Sequence, residues 1–277
     1  MKETRSLCKF LNSSSVKFEY STRKMEINAY LNGLFNNSNS TQNCFVIFSL
    51  WRTGSNLLVN LLNSHPEVTC EGEIFLPFIN SRFKKVILPH LYLKGRQSKS
   101  KTNTYGFSFK LYQKSLFINI LHGSPEKFIF NLFENGWKII HIKRVNVLRQ
   151  AISKIVASAR GQWNDFSNKP IIRSKVNIEC EKLIDEIKWF EKLSHLEEGI
   201  LQPIPHLRVV YENDLLRIED HQKTADIVFR YLGLSSAPVK TNLRRVSSDN
   251  LSDSIENYEE LMKSVHKTKY DKFVEYL

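Results

Sequence analysis

The chain lacks the cysteine spacing of a metal site or of a disulfide framework. Its four cysteines, Cys8, Cys44, Cys70 and Cys180, are scattered and form no CxxC pair, so neither a zinc site nor a set of disulfides is indicated. It also lacks any apolar run long enough to span a bilayer, and its N-terminus has no apolar core of signal-peptide length. These absences predict a soluble, cytoplasmic protein with free thiols.

Acidic residues are missing from residues 74–125, although the whole chain of 277 residues has 28 of them. Basic residues occupy the same stretch: Arg82, Lys84, Lys85, Lys94, Arg96, Lys99, Lys101, Lys110 and Lys114. The net charge of +12 predicts attraction to nucleic acid, to a membrane surface or to a small anionic ligand. The basic run is either a solvated face or a surface that meets an anion.

Glycine and lysine are scarce where a phosphate-binding turn is expected. The apolar run Cys44–Ser49 passes through Arg52, Thr53, Gly54 and Ser55 into a helical apolar spacing that reaches Leu62. A triphosphate loop reads GxxxxGK[ST], but this turn has one glycine and no lysine after it. Gly54 allows the backbone to approach an anion closely, Arg52 adds a positively charged guanidinium, and the Thr53 and Ser55 hydroxyls can cap the helix and donate to an oxygen. The alternative is an ordinary helix start, with Ser55 as its N-cap and Arg52 on the surface.

Strand and helix patterns alternate after this turn. Further strands are predicted at Gly106–Tyr112, at Gly136–Lys143 and in HLRVVYEND, and helices at VNVLRQAISKIVASAR, at about Ile178–Leu196 and at about Asp220–Leu232. This order predicts an α/β fold, with a central parallel sheet flanked by helices in a P-loop-like three-layer sandwich. We expect a polar N-terminal arm or a short helix plus linker over residues 1–42, and a single domain over residues 43–277.

A second cationic element follows the strand Gly136–Lys143. Arg144 comes directly after it, and Ser153 lies nine residues further on, within the next helix. Such a pair can hold a second phosphate, at a different place from the first. The alternative is an exposed arginine and a serine that faces solvent.

Taken together, these motifs resemble a known family. The order WRTGSNLL, CEGEIF, GFSFKLY, HIKRVNVLRQAIS, YEND and LRRVSSDNLSDSIENYEEL is similar to that of sulfotransferases that use 3′-phosphoadenosine 5′-phosphosulfate (PAPS). The likeness is greatest to bacterial carbohydrate sulfotransferases of the trehalose and nodulation-factor kind. It covers roughly residues 45–277.

The resemblance implies a role for each matching position. Arg52, Thr53, Gly54, Ser55 and Asn56 match the loop that cradles the 5′-phosphosulfate, with Arg52 near the bridging oxygen. Arg144 and Ser153 match the pair that grips the 3′-phosphate, Tyr211 a tyrosine near the adenine, and Arg245 a basic position of a loop that closes over the nucleotide. Glu73 matches the general base for the acceptor hydroxyl.

Some positions depart from the family pattern or leave alternatives open. Trp51 stands where the family most often has proline, which alters the entry to the turn, and Asn56 replaces a more frequent threonine. Glu71, His65 and His122 are alternatives to Glu73 as the base. Lys110 is a further candidate for binding the sulfuryl group.

The expected activity is therefore in-line transfer of a sulfuryl group from PAPS to a hydroxyl, on a carbohydrate or glycolipid acceptor, without a metal. Residues 74–125 are expected to form part of the acceptor cleft. The alternatives are a nucleotide kinase, a nucleic-acid-binding module and a PAPS-binding relative without activity. The sequence lacks the lysine that a kinase loop needs, and it lacks any recognition signature of a nucleic-acid-binding module.

Overall fold

The computed structural model describes residues 14–36, 43–81, 85–111, 123–163, 174–244 and 250–274. Within them a five-stranded sheet has the order β2-β3-β1-β4-β5. The strands are β1 (Asn43–Ser49), β2 (Val68–Glu73), β3 (Thr104–Lys110), β4 (Lys138–Lys143) and β5 (His206–Val210). β2 runs parallel to β3, and β4 runs parallel to β5. The predicted α/β fold with a central parallel sheet flanked by helices is confirmed.

Helices make the connections that parallel strands require. In chain order they are α1 (Ser14–Phe35), α2 (Ser55–Leu62), α3 (Leu76–Ile79), α4 (Pro89–Lys99), α5 (Pro125–Glu134), α6 (Val147–Arg160), α7 (Cys180–Leu201), α8 (His221–Leu232) and α9 (Tyr258–His266). The start of α2 at Ser55 and the end of α8 before Gly233 agree with the sequence prediction. Gly233 has φ 82, the left-handed conformation that a helix end often needs.

One strand, β2, is absent from the sequence prediction. Its sequence VTCEGE contains two glutamates and a glycine, which are residue types depleted in strands. Val68 and Cys70 are nevertheless buried, and they pair with Thr104 and Gly106 of β3. Pairing with β3 therefore overrides a weak local preference.

The chain groups into two compact units, and the first is Met1–Val46 with Pro66–Lys138. Here α1 packs closely on α4, since a Cβ on Gly95 would lie 1.6 Å from the carbonyl oxygen of Ala29. Glu26 of α1 also accepts a hydrogen bond of 2.8 Å from the backbone N–H of Ile87. The polar arm expected over residues 1–42 thus contains a packed helix of 22 residues. The polar composition of α1 gives no local indication that one side is buried, because that side is defined by its contact with α4.

The second unit is Ile47–His65 with Ile139–Leu277. It contains the carboxyl end of β1, nearly all of β4 and the whole of β5, together with the turn that follows each. α6 packs on α7 in this unit. In an α/β sheet, turns at the carboxyl ends of strands are where ligands bind. The single domain predicted for residues 43–277 stays a prediction.

A buried acid and imidazole lie in the core of the second unit. His141 of β4 and Glu197 of α7 are 0% and 1% exposed as side chains, with 3.0 Å between Nε2 and Oε2. Burial lowers the pKa of His141 to about 4 and raises the pKa of Glu197 well above its usual range. Both shifts favour the uncharged forms, because burial penalises a charge.

The described residues contain neither a membrane-spanning helix nor a cluster of metal ligands. None of the helices there is long and apolar enough to cross a membrane. The same part of the chain holds no group of three or more His, Cys, Asp or Glu residues arranged to bind a metal ion.

Candidate functional site

The turn after β1 begins the candidate site. Gly54 has φ 88 and is the N-cap residue of α2, which starts at Ser55, so the N-cap position makes no side-chain hydrogen bond to this helix. The Thr53 hydroxyl donates instead to the carbonyl oxygen of Leu50, at 3.0 Å. The capping expected of Thr53 and Ser55 is therefore wrong. A helix start without a side-chain cap offers its backbone N–H groups to an anion.

Gly54 packs directly against the ring of Tyr211. A Cβ built at residue 54 would lie 2.7 Å from Cδ2 of that ring and 3.3 Å from Cδ1 of Leu215. Tyr211 and Leu215 belong to a π-helical turn that follows β5. Glycine is therefore required twice here, for the positive φ and for the close contact.

Trp51 anchors the entry to the turn. Its carbonyl oxygen accepts a hydrogen bond of 2.6 Å from Nε2 of Gln150, on α6. Its indole stacks on Trp189 of α7, with 5.4 Å between the ring centroids. Nζ of Lys154 lies 5.1 Å from the Trp51 ring centroid and 4.2 Å from that of Trp189, and it pairs with Glu186 at 2.5 Å. Trp51 thus connects the turn to two helices.

Arg52 is a strained and half-buried cation. Its φ of 61 is the only positive φ outside glycine among the described residues, and such strain is typical of functional positions. Its Nε donates to Oγ of Ser153 at 3.0 Å, and its Nη1 donates to the carbonyl oxygen of Trp163 at 2.7 Å. Burial lowers the pKa of the guanidinium. Both recorded partners are neutral oxygens, and no ion pair to Arg52 occurs within the described residues.

Arg144 lies beside Arg52. Its Nη1 donates to the carbonyl oxygen of Arg52 at 3.0 Å, and its guanidinium carbon is 4.6 Å from the centroid of the Tyr211 ring. Glu212 lies 3.7 Å from Nε of Arg144, and its carboxylate accepts from the backbone N–H groups of Val145 and Asn146, each at 3.0 Å. The turns after β1, β4 and β5 therefore meet at the two arginines.

A pocket opens next to Arg144 and Ser153. It is lined by Arg144, Arg149, Ile152, Ser153, Val156, Leu251 and Ser254. Two arginines and two serines thus line a small space together with apolar side chains. The structure brings the predicted pair of Arg144 and Ser153 together, and it adds Arg52 to them through the hydrogen bond to Ser153.

Glu73 and Lys110 belong to the first unit. Glu73 ends β2 and Lys110 ends β3, and Nζ of Lys110 lies 2.5 Å from Oε1 of Glu73. Glu71 has a different basic partner, Arg96 of α4. The register between β2 and β3 shifts between Glu71 and Glu73, which helps to give the two carboxylates separate partners. The role of Glu73 as base stays a prediction.

The remaining predicted positions have different outcomes. Arg245 and His122 lie outside the described residues. His65 is buried, packs on Phe229 and lies 3.2 Å from the carbonyl oxygen of Ser235, as a core histidine does. Tyr211 contacts Gly54 and Arg144, and its predicted place near the adenine stays a prediction.

Four residues around the site were not singled out from the sequence: Gln150, Glu212, Arg149 and Ser254. Glu212 directly follows Tyr211 in YEND, so the motif carried a signal for it. Gln150 is a polar residue on the buried face of α6, 1% exposed, and that contrast was also visible in the helical pattern. Nothing local marked Arg149 or Ser254, since the pocket that they line exists only in the folded chain.

Two known proteins illustrate what this chain is similar to. No family model matches the chain. Nodulation protein H from Rhizobium tropici is 25% identical over 251 residues, which cover 83% of this chain and 92% of that protein. Mouse sulfotransferase SULT7A1, solved in complex with PAP, gives a TM-score of 0.44 at 13% identity and covers 91% of this chain and 94% of its own. The match to a nodulation protein over most of both lengths confirms the resemblance that the motif order predicts.

Proposed function

We propose that this chain, an enzyme of the PAPS-dependent sulfotransferase family, transfers the sulfuryl group of PAPS to a hydroxyl of a carbohydrate or glycolipid. The bond between sulfur and the 5′-phosphate oxygen breaks, and a bond between sulfur and the acceptor oxygen forms. The acceptor proton passes to a base, and adenosine 3′,5′-bisphosphate (PAP) leaves. No oxidant or metal is needed to balance this step.

The observation that carries the proposal is the cationic cluster at three strand ends. The Arg52 guanidinium donates to Ser153, the Arg144 guanidinium donates to the backbone carbonyl of Arg52, and the partners of the Arg52 guanidinium among the described residues are neutral oxygens. Arg52 is desolvated by burial, and its hydrogen-bond partners among the described residues carry no charge, so an anionic ligand would supply the missing countercharge. A nucleotide with phosphates at both its 3′ and 5′ positions suits a turn and a neighbouring pocket that are joined by the hydrogen bonds of Arg52 to Ser153 and to Arg144.

The turn after β1 suits the 5′-phosphosulfate. Gly54 exposes backbone, the start of α2 supplies N–H groups, and Arg52 adds the charge that the absent lysine would bring to a triphosphate. During transfer, negative charge grows on the oxygen of the leaving phosphate. Donors already in position stabilise that charge without reorganising.

The pocket beside α6 suits the 3′-phosphate. The Arg144 guanidinium contacts the Tyr211 ring and Glu212, and these two contacts restrict its rotation. Ser153 accepts a hydrogen bond from Arg52, which leaves its own hydroxyl hydrogen to donate. One hydroxyl can therefore contact both the arginine of the turn and a phosphate in the pocket.

Glu73 is the proposed base. Lys110 pairs with its carboxylate, which restrains the side chain at the carboxyl end of β2. The acceptor class and the cytoplasmic location are proposed from the resemblance and from the composition.

The nucleotide half of the proposal is tested by calorimetry with adenosine 3′,5′-bisphosphate. Arg52→Ala and Arg144→Ala should each weaken binding about 10- to 100-fold, because a hydrogen bond to a charged group contributes about 1.5–3 kcal/mol. Arg230→Ala is the control, since Arg230 is an exposed arginine of the same unit, in the last turn of α8. Unchanged binding in both site variants would refute the proposal.

The transfer half needs labelled PAPS and a panel of glycans and glycolipids. Label in a carbohydrate product supports the proposed acceptor class. Binding of the bisphosphate without transfer to any acceptor favours a relative that has lost activity. Tight Mg²⁺-dependent binding of ATP, with none of the bisphosphate, would revive the kinase alternative.

A further inference from the structure

Ser254 has a buried hydroxyl that lacks a hydrogen-bond partner within the described residues. The residue is 2% exposed, and its Oγ makes no hydrogen bond there. A buried hydroxyl without a partner costs free energy, and most buried polar groups in folded proteins are satisfied. The side chain also lines the pocket that contains Arg144 and Ser153. A ligand in that pocket would supply the missing acceptor.

The backbone around Ser254 is held firmly. Its N–H donates to the carbonyl oxygen of Leu251 at 2.9 Å, and its own carbonyl accepts from the N–H of Val176 at 3.0 Å. The next residue, Ile255, forms a parallel bridge with Val176. The hydroxyl is therefore presented from a fixed position, so its orientation towards a ligand costs little entropy.

The two sides of the pocket come from different parts of the chain. Arg144, Arg149 and Ser153 come from the end of β4 and from α6, whereas Ser254 follows the 3₁₀ turn Leu251–Asp253. Two cations and a hydroxyl therefore stand on one side, with a second hydroxyl on the other. Ile152, Val156 and Leu251 make the rest of the wall apolar, which strengthens polar contacts inside.

We infer that Ser254 is a further ligand of the 3′-phosphate, and that it gives the pocket selectivity for 3′-phosphorylated nucleotides. This inference rests on the proposed function. It assigns to the C-terminal segment a direct hydrogen bond, from the Ser254 hydroxyl to a phosphate oxygen opposite Arg144 and Ser153.

The test compares two nucleotides that differ only in the 3′-phosphate, adenosine 3′,5′-bisphosphate and adenosine 5′-monophosphate. Ser254→Ala should weaken calorimetric binding of the bisphosphate about 10- to 100-fold and leave binding of the monophosphate unchanged. Ser254→Cys keeps the side chain's approximate size but is a weak donor, so it should show most of the same loss. Ser252→Ala is the matched control, because the Ser252 hydroxyl bonds to Oδ1 of Asn250 and does not line the pocket.

Thermal unfolding without ligand separates a binding role from a structural one. A hydroxyl that serves the ligand leaves the melting temperature of Ser254→Ala unchanged or higher, because its removal abolishes an unsatisfied buried group. A clear drop in the ligand-free melting temperature, with equal weakening for both nucleotides, would overturn the inference.

The two hypotheses fail in different ways. If the wild type prefers the bisphosphate strongly and both Ser254 variants keep that preference, the proposed function stands and the Ser254 assignment is wrong. If the wild type itself binds the bisphosphate no better than the monophosphate, the proposed function fails and the inference fails with it.

Discussion

Gly54→Ala tests whether the turn after β1 depends on contact with Tyr211. The new Cβ would meet Cδ2 of the Tyr211 ring at 2.7 Å and Cε2 at 3.1 Å, and it would have to keep φ near 88. Two non-bonded carbon atoms do not approach to 2.7 Å, so either the Tyr211 ring or the turn must move. Because the same ring lies against the Arg144 guanidinium, the shift should spread to the proposed phosphate pocket.

The size of the effect follows from two contributions. A non-glycine residue in the left-handed region costs about 1–2 kcal/mol, and forcing extra volume into a packed position costs about 1–3 kcal/mol. The unfolding free energy should therefore fall by about 2–5 kcal/mol. Gly233→Ala is the matched control, because Gly233 has φ 82 and, among the described residues other than its local backbone, no atom lies within 4 Å of a built Cβ. It should show only the first contribution.

Denaturant unfolding of both variants measures the difference. In a Tyr211→Ala background the ring is gone, so Gly54→Ala should cost nearly as little as Gly233→Ala; this double-mutant cycle isolates the contact. Calorimetry with adenosine 3′,5′-bisphosphate should also show weaker binding for Gly54→Ala alone. If Gly54→Ala costs no more than Gly233→Ala in the wild-type background, the packing argument is refuted.

Three further predictions concern the proposed base Glu73 and the buried pair of His141 and Glu197. Glu73→Gln should slow labelled-sulfate transfer by about 10²-fold or more with unchanged calorimetric binding of the bisphosphate, and normal turnover would place the base elsewhere. His141 has a pKa lowered to about 4 by burial, so its stabilising contribution is complete above its unfolded pKa of about 6.5 and is lost as pH falls towards 4. That loss amounts to about 3 kcal/mol of unfolding free energy, and denaturant unfolding at pH 7 and pH 4 should show a smaller difference for His141→Gln than for the wild type. An equal pH dependence in both proteins would contradict the buried neutral imidazole. The pH dependence that Glu197 contributes to stability has the opposite sign, because its raised pKa makes its stabilising contribution complete at low pH and lost as pH rises. The Glu197→Gln variant should therefore unfold at a higher denaturant concentration than the wild type at pH 8.

The alternation of strands and helices and the turn after β1 could be predicted from the sequence because both signals are local. A buried strand, one glycine and a helical apolar pattern are neighbours along the chain, so their meaning survives without tertiary information. β2 was missed because its residues are poor strand formers whose pairing comes from β3. α1 was underestimated because its buried side is defined by α4 rather than by its own composition.

By itself, the sequence determined that the chain alternates strands and helices, that Gly54 stands in a tight turn and that arginines follow two strands. Only the tertiary structure decided that Arg52 reaches Ser153, that Trp51 stacks on Trp189, and that Ser254 arrives at the same pocket. The physical reason is distance along the chain. Each of these contacts joins residues separated by a hundred positions or more, and no local pattern records which side chains the closing of the fold will bring together.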